Sequence, residues 1–186
     1  MAKEPCLFAK MLAPSPKTIL TIIFVISYTL SIVRSSTNVE VQKICNQTSN
    51  PSFCREAFDS DPRTPGADFP LLADVAVRLA FNNVSTTSMG IGKLVASAPA
   101  SQRQVLMRCK GDYDKAVAAF VAASNDLNSE SYFDLGHQAD VASGAMDDCN
   151  AALGGPSQLS KPNQDVKGFS EIVKVVGKKL GGIDNQ

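Results

Sequence analysis

The sequence contains a single histidine and no tryptophan, and both shortages exclude kinds of site. No nucleophile or carboxylate pattern accompanies His137, so a surface or satisfied helical histidine is a simpler interpretation than a catalytic base. One histidine also gives too few ligands for a zinc or copper site once the cysteines are oxidised, so we expect no metal. With no tryptophan, and with Tyr113, Phe120 and Tyr132 on apolar helical stripes, we expect no stacked aromatic platform for sugars or bases. The composition therefore predicts a protein that is not an enzyme and needs no cofactor.

Phosphate-binding and acid–base motifs are missing as well. Gly90-Ile91-Gly92 is not followed by a lysine with serine or threonine at the required spacing, so it is not a phosphate loop. Asp112 with Asp114, and Asp147-Asp148, are acidic pairs. Positions one or two residues apart on a helix point in different directions. These pairs are typical of solvated helix faces and not of acid–base dyads.

An excess of positive charge is also lacking, since the chain has 18 basic and 18 acidic residues. Four of the basic residues and one of the acidic residues lie within residues 1–35, so a chain without that segment carries a net charge of −3. No basic stripe or arginine-rich patch is left to neutralise phosphates. We therefore expect no nucleic-acid partner.

Near its start the chain does have a sixteen-residue uncharged run from Thr18 to Val33, which follows Lys3, Lys10 and Lys17. The run is short for a bilayer-spanning helix, which needs about twenty apolar residues, and only slightly long for the core of a secretory signal. We predict a signal peptide over residues 1–35. An uncleaved signal anchor is the alternative. Cleavage would leave a secreted domain without a membrane segment.

Four cysteines remain once Cys6 leaves with the signal peptide, an even number in an oxidising compartment. Cys45 and Cys54 flank Asn50-Pro51. On one straight helix nine steps would separate them by roughly 13 Å, beyond the reach of a disulfide, so a bond between them needs a turn. Proline expels the residue before it from helical geometry, and Asn50-Pro51 therefore supplies that turn.

Cys109 and Cys149 lie on two apolar helical stripes, and their midpoint, position 129, falls in the hinge at residues 128–131. An antiparallel hairpin with equal arms would place the two sulfur atoms level with each other and within disulfide range. The alternative is a pair of buried free cysteines that act as small hydrophobes, as expected in a cytosolic protein. The predicted secretion favours the disulfide.

Apolar residues recur every three or four positions along four long segments, and no segment alternates convincingly like a strand. These segments are residues 72–95 ended by Pro99, the two arms within 103–153 stopped by Gly154-Gly155-Pro156, and residues 166–180 closed by Gly181-Gly182 after a polar loop over 157–164. Ser101 followed by Gln104 is a capping-box signature for the Cys109 helix. We predict an all-α domain over 36–182 with two disulfides: a helical hairpin over 36–60, then an up-and-down four-helix bundle over 67–181.

Two sequons, Asn46-Gln47-Thr48 and Asn83-Val84-Ser85, become candidate glycosylation sites in a secreted chain. Asn46 and Asn83 are therefore the predicted glycan acceptors. The third asparagine of this kind, Asn50, is excluded because proline follows it.

The segment from Cys45 to Cys54 resembles the C-x-x-T-x-x-P-x-x-C opening of the plant invertase/pectin methylesterase inhibitor family. Cys109 and the run Ala142–Met146 before Cys149 are similar to later landmarks of that family. The resemblance extends over most of the chain that follows the predicted signal peptide. It implies Cys45 paired with Cys54, Cys109 paired with Cys149, a four-helix bundle behind a hairpin, and no catalysis.

Proteins of that family bind a cell-wall or vacuolar carbohydrate enzyme and obstruct its active-site cleft, so the resemblance implies a protein partner. The leading hypothesis is a secreted inhibitor of pectin methylesterase (pectinesterase) in the apoplast, or cell wall, which docks a bundle face over the enzyme's cleft. We expect exposed positions of the second and third bundle helices, such as Asp112 and Asp114, to bind the target.

Two other hypotheses compete with this one. Some invertase inhibitors carry Pro-Lys-Phe before the last helix, where this chain has Lys161-Pro162. Inhibition of a cell-wall or vacuolar invertase is therefore the less favoured alternative. A secreted structural or signalling bundle without an enzyme target is the hypothesis from another class.

Overall fold

Six α-helices make up the part of the chain that the computed structural model describes, residues 38–182. In chain order they are α1 (Val39–Cys45), α2 (Pro51–Asp59), α3 (Phe69–Ser97), α4 (Ala100–Asn128), α5 (Tyr132–Leu153) and α6 (Ser160–Leu180). No strand occurs within residues 38–182, and the predicted all-α class is confirmed. The predicted signal peptide, with Cys6, lies outside the described residues.

Three helices begin at polar side chains that accept backbone hydrogen bonds. Asn38, Asn50 and Asp68 precede α1, α2 and α3, and each side chain accepts from a backbone N–H of the first turn. Such a cap stabilises a helix by about 1 kcal/mol. Pro51 and Pro70 lie in the first turns of α2 and α3, where a proline sacrifices no helical hydrogen bond. These residues explain why α2 and α3 begin where they do.

The predicted capping box at Ser101 is wrong. α4 begins at Ala100, directly after Pro99, and no side chain caps it. Instead the carbonyl of Pro99 accepts hydrogen bonds from the N–H groups of Gln102 and Arg103, both at 3.0 Å. Because the extended backbone at Pro99 already separates α3 from α4, the helix starts at the next residue and Ser101 lies inside its first turn.

The last helix also begins earlier than predicted. Residues 157–164 were expected to be a polar loop, but α6 begins at Ser160 and includes Lys161-Pro162. Pro162 lies in the first turn, where its missing N–H would have no helical partner, and so it does not interrupt the helix. The predicted end of α5 is confirmed, because Gly154 adopts the left-handed conformation with φ +67° directly after the helix.

Helices α3 to α6 form an up-and-down bundle in which each helix packs against two others. α3 packs against α4, α4 against α5, α5 against α6, and α6 closes the ring against α3. The large side chains excluded from solvent in the middle of the bundle include Leu72, Ile91, Tyr113, Phe120, Leu135, Met146 and Ile172. Burial of one such side chain contributes about 1.5–3 kcal/mol. The four apolar stripes read from the sequence therefore meet in one core.

The hairpin α1–α2 packs against α6. The rings of Phe53 and Phe169 meet edge to face, with centroids 5.0 Å apart. Ile44 and Phe58 are fully buried beneath the hairpin. Two polar contacts also join the hairpin to α6. Ser49 donates hydrogen bonds to Glu171, and Glu40 forms an ion pair with Lys179.

Candidate functional site

Both predicted disulfides are present in the structure. Cys109 of α4 and Cys149 of α5 are bonded, with Cα atoms 4.6 Å apart, and both are fully buried. Cys45 and Cys54 join the ends of α1 and α2, with Cα atoms 5.4 Å apart. The turn between α4 and α5 lies midway between Cys109 and Cys149, as the symmetry of their positions predicted. The long bond therefore holds α4 and α5 as one rigid pair.

Small side chains fill the seam between these two helices. We call the seam the buried residues that lie at helical spacing from the two bonded cysteines: Cys109, Asp112, Ala116, Ala119 and Ala123 of α4, and Ala139, Ala142, Ala145 and Cys149 of α5. The distance between packed helices depends on the size of the side chains at their contact. Alanines therefore let α4 and α5 lie close together.

Two exposed stripes run beside the seam. They are Arg108, Gly111, Lys115 and Ala118 on α4, and His137, Val141, Gly144 and Asp148 on α5. Seven of these eight residues directly precede a seam residue in the sequence, and His137 precedes Ala139 by two positions. A step of one residue is a rotation of about 100°, and in antiparallel helices this step turns both stripes toward the same side. These eight residues form one surface, which we call the docking face.

Two glycines, Gly111 and Gly144, lie within the docking face. A Cβ atom added to Gly111 or to Gly144 would have no heavy atom within 4 Å, so neither glycine is needed for packing inside the chain. A glycine inside a helix costs roughly 0.5–1 kcal/mol relative to alanine. Glycine at these two positions therefore lowers the stability of the helices. It also leaves backbone that another molecule can approach closely.

Acidic side chains dominate α5. The helix has four carboxylates and no lysine or arginine: Asp134, Asp140, Asp147 and Asp148. Asp140 pairs with Lys174 of α6 and Asp147 with Lys167, both at 2.7 Å. Asp134 and Asp148 are exposed, and neither forms an ion pair within residues 38–182. The surplus negative charge of α5 therefore lies at its two ends, one of them on the docking face.

Asp112 is not exposed, and the prediction that placed it on the surface is wrong. The residue is 4 % exposed, and its Oδ1 accepts a hydrogen bond from Lys115 Nζ at 3.1 Å. Its Oδ2 is buried and has no partner among the described residues. Asp112 follows Cys109 by three positions and therefore shares the side of α4 that faces α5. Of this pair, Lys115 is the residue at the surface.

Asp114 is exposed, but it lies on the α3 side of α4. Its carboxylate accepts hydrogen bonds from Lys110 Nζ at 2.7 Å and from Ser88 Oγ of α3 at 2.8 Å. Partial burial raises the pKa of Asp114, but the hydrogen bonds from Lys110 and Ser88 outweigh it and hold the pKa below its usual range. Asp114 is outside the docking face, and its role in target binding stays a prediction.

A buried polar network that the sequence did not reveal lies behind the long disulfide. Tyr113 Oη donates to Asn163 Oδ1 at 2.7 Å, and Asn163 Nδ2 donates to Asn150 Oδ1 at 2.6 Å. Burial raises the pKa of Tyr113, so its hydroxyl remains a donor. The network joins α4, α5 and α6. One feature of the sequence could have indicated this network. Asn163 lies on the apolar stripe of α6, three positions before Val166, and a buried polar residue normally has a hydrogen-bond partner.

The other residues singled out from the sequence lie on the surface or close to it. His137 is exposed on the docking face. Asn46 is exposed at the end of α1, whereas Asn83 is half-buried within α3 and its Oδ1 is buried without a partner among the described residues. Glycosylation at either position stays a prediction, and Asn46 is the more accessible acceptor.

Two further findings concern residues 38–182. No cluster of three or more histidine, cysteine or carboxylate side chains there could hold a metal ion. None of the helices in this range combines the length and the apolar character that a membrane span requires.

Sequence comparison connects the chain with known inhibitors. The family model described as "Plant invertase/pectin methylesterase inhibitor" matches residues 39–176. The "Pectinesterase inhibitor" of Actinidia deliciosa is 27% identical over 147 residues, which cover 76% of this chain and 80% of that protein. The "Cell wall / vacuolar inhibitor of fructosidase 2" of Arabidopsis thaliana is 32% identical over 106 residues, which cover 56% of this chain and 59% of that protein.

Solved structures share the helical arrangement. The crystal structure of mutant form A of a pectin methylesterase inhibitor from Arabidopsis matches with a TM-score of 0.67 at 18% identity, over 75% of this chain and 95% of that one. A second crystal structure, of a pectin methylesterase inhibitor from Arabidopsis thaliana, matches with a TM-score of 0.58 at 18% identity, over 77% and 97% of the two chains. This likeness confirms the predicted bundle.

Proposed function

Because this chain belongs to the plant invertase/pectin methylesterase inhibitor family, we propose that it is a secreted inhibitor of pectin methylesterase that docks one face of its bundle over the enzyme's active-site cleft. The family consists of inhibitor proteins and not of enzymes, so the prediction that the chain is not an enzyme is confirmed. Its members inhibit pectin methylesterase or invertase as protein targets. The choice between these two targets, and the face that binds, are what we propose.

The extent of the similarity supports pectin methylesterase as the target. The relative named as a pectinesterase inhibitor is matched over 80% of its length, whereas the relative named as a fructosidase inhibitor is matched over 59% of its length. The match to the pectinesterase inhibitor therefore extends over more of both chains.

The docking face supplies the surface. Its helices are held by a buried disulfide and a close-packed seam, so binding requires little ordering of the inhibitor. Gly111 and Gly144 leave its middle open to a partner's backbone. Asp148, which forms no ion pair within residues 38–182, would complement a basic residue at the rim of the enzyme's cleft, and Arg108 of the same face would complement an acidic one. We therefore place the enzyme across α4 and α5.

Inhibition of invertase is the second candidate, because the relative named as a fructosidase inhibitor has the higher identity, 32% against 27%, and the start of α6 is the surface that would carry it. Lys161 and Lys167 line an open polar cleft of about 650 Å³ where α6 begins beside the hairpin. The other lining residues are Ser49, Asn150, Ser160 and Gln164. A lysine beside a proline is what this chain has in place of Pro-Lys-Phe, and it now lies in the first turn of α6 and not in a loop.

Secretion to the apoplast belongs to the same proposal. It depends on the signal peptide over residues 1–35, which lies outside the described part of the chain. A relative named as a cell-wall or vacuolar inhibitor supports such a location. The vacuole would be the expected site for an invertase inhibitor.

Titration of the purified protein against a pectin methylesterase and an acid invertase tests the target. We expect demethylesterification to fall at equimolar inhibitor while sucrose hydrolysis is unchanged. The same titration with Gly144→Gln tests the face, because a long side chain there would hold the enzyme away. Gly90→Gln is the matched control, since Gly90 is likewise exposed and has nothing within 4 Å of an added Cβ, but lies on α3.

The outcomes of this titration distinguish an error in the target from an error in the binding face. Full esterase activity at equimolar wild-type protein would sink the choice of target, and retention of neither enzyme on the immobilised protein would favour a bundle without an enzyme partner. Equal inhibition by the Gly144→Gln and wild-type proteins would leave the target in place and exclude the docking face.

A further inference from the structure

Phe133 is the most exposed of the large apolar side chains in residues 38–182, at 80 %. It occupies the second position of α5, between the half-buried Tyr132 and Asp134. The other exposed apolar side chains of comparable size include Met89 at 64 % and Met107 at 58 %. Burial of a phenylalanine is worth about 1.5–3 kcal/mol, and the fold gains almost none of this at Phe133.

The backbone that carries Phe133 is held firmly. The turn before it is closed by a hydrogen bond from the N–H of Ser131 to the carbonyl of Asp126 at 2.8 Å. On the other side, α6 approaches α5 so closely that a Cβ added to Gly177 would lie 2.7 Å from the Cβ of Leu135. An aromatic ring on a fixed backbone loses little conformational entropy when it enters a pocket.

The charged residues next to Phe133 in the chain are negative. Glu130 and Asp134 are exposed on either side of it in the chain. Two of the three lysines in the last two turns of α6 are already engaged, in the pairs Lys174–Asp140 and Lys179–Glu40. Phe133 is therefore an apolar projection with acidic neighbours, at the end of α5 from which the docking face extends.

We infer that Phe133 is the aromatic anchor of this inhibitor and inserts into an apolar pocket with a basic rim on pectin methylesterase, next to the cleft that the docking face covers. The inference rests on the proposed function. Binding energy at protein interfaces is concentrated in a few side chains, among which tryptophan, tyrosine and arginine are enriched, while surrounding contacts exclude water. Phenylalanine is likewise enriched in interfaces relative to the rest of the surface. Phe133 is such a side chain, because it is large, apolar, exposed and carried on a firmly held backbone. Its acidic neighbours indicate that the rim of the pocket is basic.

The test measures the inhibition constant of Phe133→Ala against pectin methylesterase. We expect inhibition at least about 30-fold weaker, which corresponds to the hot-spot threshold of about 2 kcal/mol. Met89→Ala removes a similarly exposed side chain from α3 and should change the constant by less than about twofold. Phe133→Tyr, which keeps the ring, should restore most of the inhibition.

Melting temperatures separate binding from folding. Because Phe133 is 80 % exposed, its replacement by alanine should leave the melting temperature unchanged. Wild-type inhibition by Phe133→Ala would overturn the anchor and leave the proposed function standing. A fall in the melting temperature of Phe133→Ala would also overturn it, since the ring would then belong to the fold. Failure of the wild-type protein to inhibit would remove the proposed function and the anchor together.

Discussion

Two helical hairpins in this chain are each closed by a disulfide, yet they are stabilised in different ways. The arms of α1–α2 have 7 and 9 residues, and Cys45–Cys54 joins positions 9 apart. The arms of α4–α5 have 29 and 22 residues, and Cys109–Cys149 joins positions 40 apart. Helices of fewer than about 12 residues are marginal by themselves. The short hairpin therefore depends on contacts to other parts of the chain.

Those contacts are few and partly polar. Asn38 donates from its side chain to the carbonyls of Thr64 and Ala67, and Phe53 packs edge to face on Phe169 of α6. The short hairpin fully buries the large side chains of Ile44 and Phe58, whereas the long hairpin supplies one half of the bundle and fully buries more of them, such as Tyr113, Phe120 and Leu135. Regions with few buried apolar contacts open at a lower free energy than the core. The short hairpin should accordingly be the first part of the described chain to open.

Removal of the long disulfide should have the largest effect. We expect Cys109→Ser to lower the free energy of unfolding by about 2–5 kcal/mol, because the bond constrains a long loop in the unfolded chain. Cys45→Ser should cost about 1 kcal/mol less, because the constraint falls with the logarithm of loop length. Urea denaturation of the two variants measures both values. An unchanged stability of Cys109→Ser, or a free thiol at Cys149 in the native secreted protein, would refute the pairing.

Alanine substitutions at two glycines of α6 would compare the rigidity of the contact between α5 and α6 with that of the contact between α2 and α6. A Cβ at Gly177 would lie 2.7 Å from Leu135 Cβ, and one at Gly168 would lie 2.6 Å from a ring carbon of Phe53. Overpacking usually costs about 1–3 kcal/mol, and we expect a loss in this range for Gly177→Ala. Gly168→Ala should cost less, because the half-buried ring of Phe53 can turn away. Melting temperatures measure the difference, and equal losses would show that both hairpins are equally rigid.

A fall in pH should loosen the short hairpin α1–α2. We expect this effect to be smaller than those of the cysteine and glycine substitutions. Hydrogen bonds from the Arg63 guanidinium lower the pKa of Asp61, in the loop after α2, from 3.8 to about 2. A hydrogen bond from Lys179, with another from Lys43, also lowers the pKa of Glu40 in α1. A carboxyl group with a depressed pKa stabilises the folded state above its unfolded pKa, and that contribution is lost as the pH falls through the folded pKa.

The expected window therefore runs from a pH of about 4 down to about 2. Amide hydrogen exchange should show α1 and α2 losing protection in this window while the core of α4–α5 keeps it. Arg63→Gln should return the pKa of Asp61 toward its ordinary value, as NMR titration would measure. Arg55→Gln on α2 is the control, because Arg55 contacts Ser52 and not Asp61. Simultaneous loss of protection in both hairpins would contradict the difference between them.

Features that depend on neighbouring residues in the sequence were predictable. Apolar periodicity located the four bundle helices, and Gly154 marked the end of α5. The midpoint of Cys109 and Cys149 fell in the turn because both helices have a constant rise per residue. The start of α4 was missed because the Pro99 carbonyl, and not the Ser101 side chain, receives the first hydrogen bonds.

The candidate site was less predictable than the fold. Asp112 was expected on the surface, but its rotation about the α4 axis places it in the seam. The sequence contains Gly111, Gly144 and Phe133 but does not show that the two glycines lack a packing role or that the ring stays in solvent. Exposure depends on which helices pack side by side, and that depends on contacts between residues far apart in the chain.

By itself, the sequence determined the all-α class, the helix count and the cysteine pairs, because periodicity, chain breakers and helix geometry act over short distances. Only the tertiary structure decided which helix faces remain uncovered. Once α3 to α6 close their ring and α1–α2 covers α6, the outer side of α4–α5 is left with unneeded glycines and an unburied phenylalanine at its end. Packing of the helices buries large apolar side chains in the core. The apolar side chains that stay exposed are the ones from which a partner protein can gain binding energy.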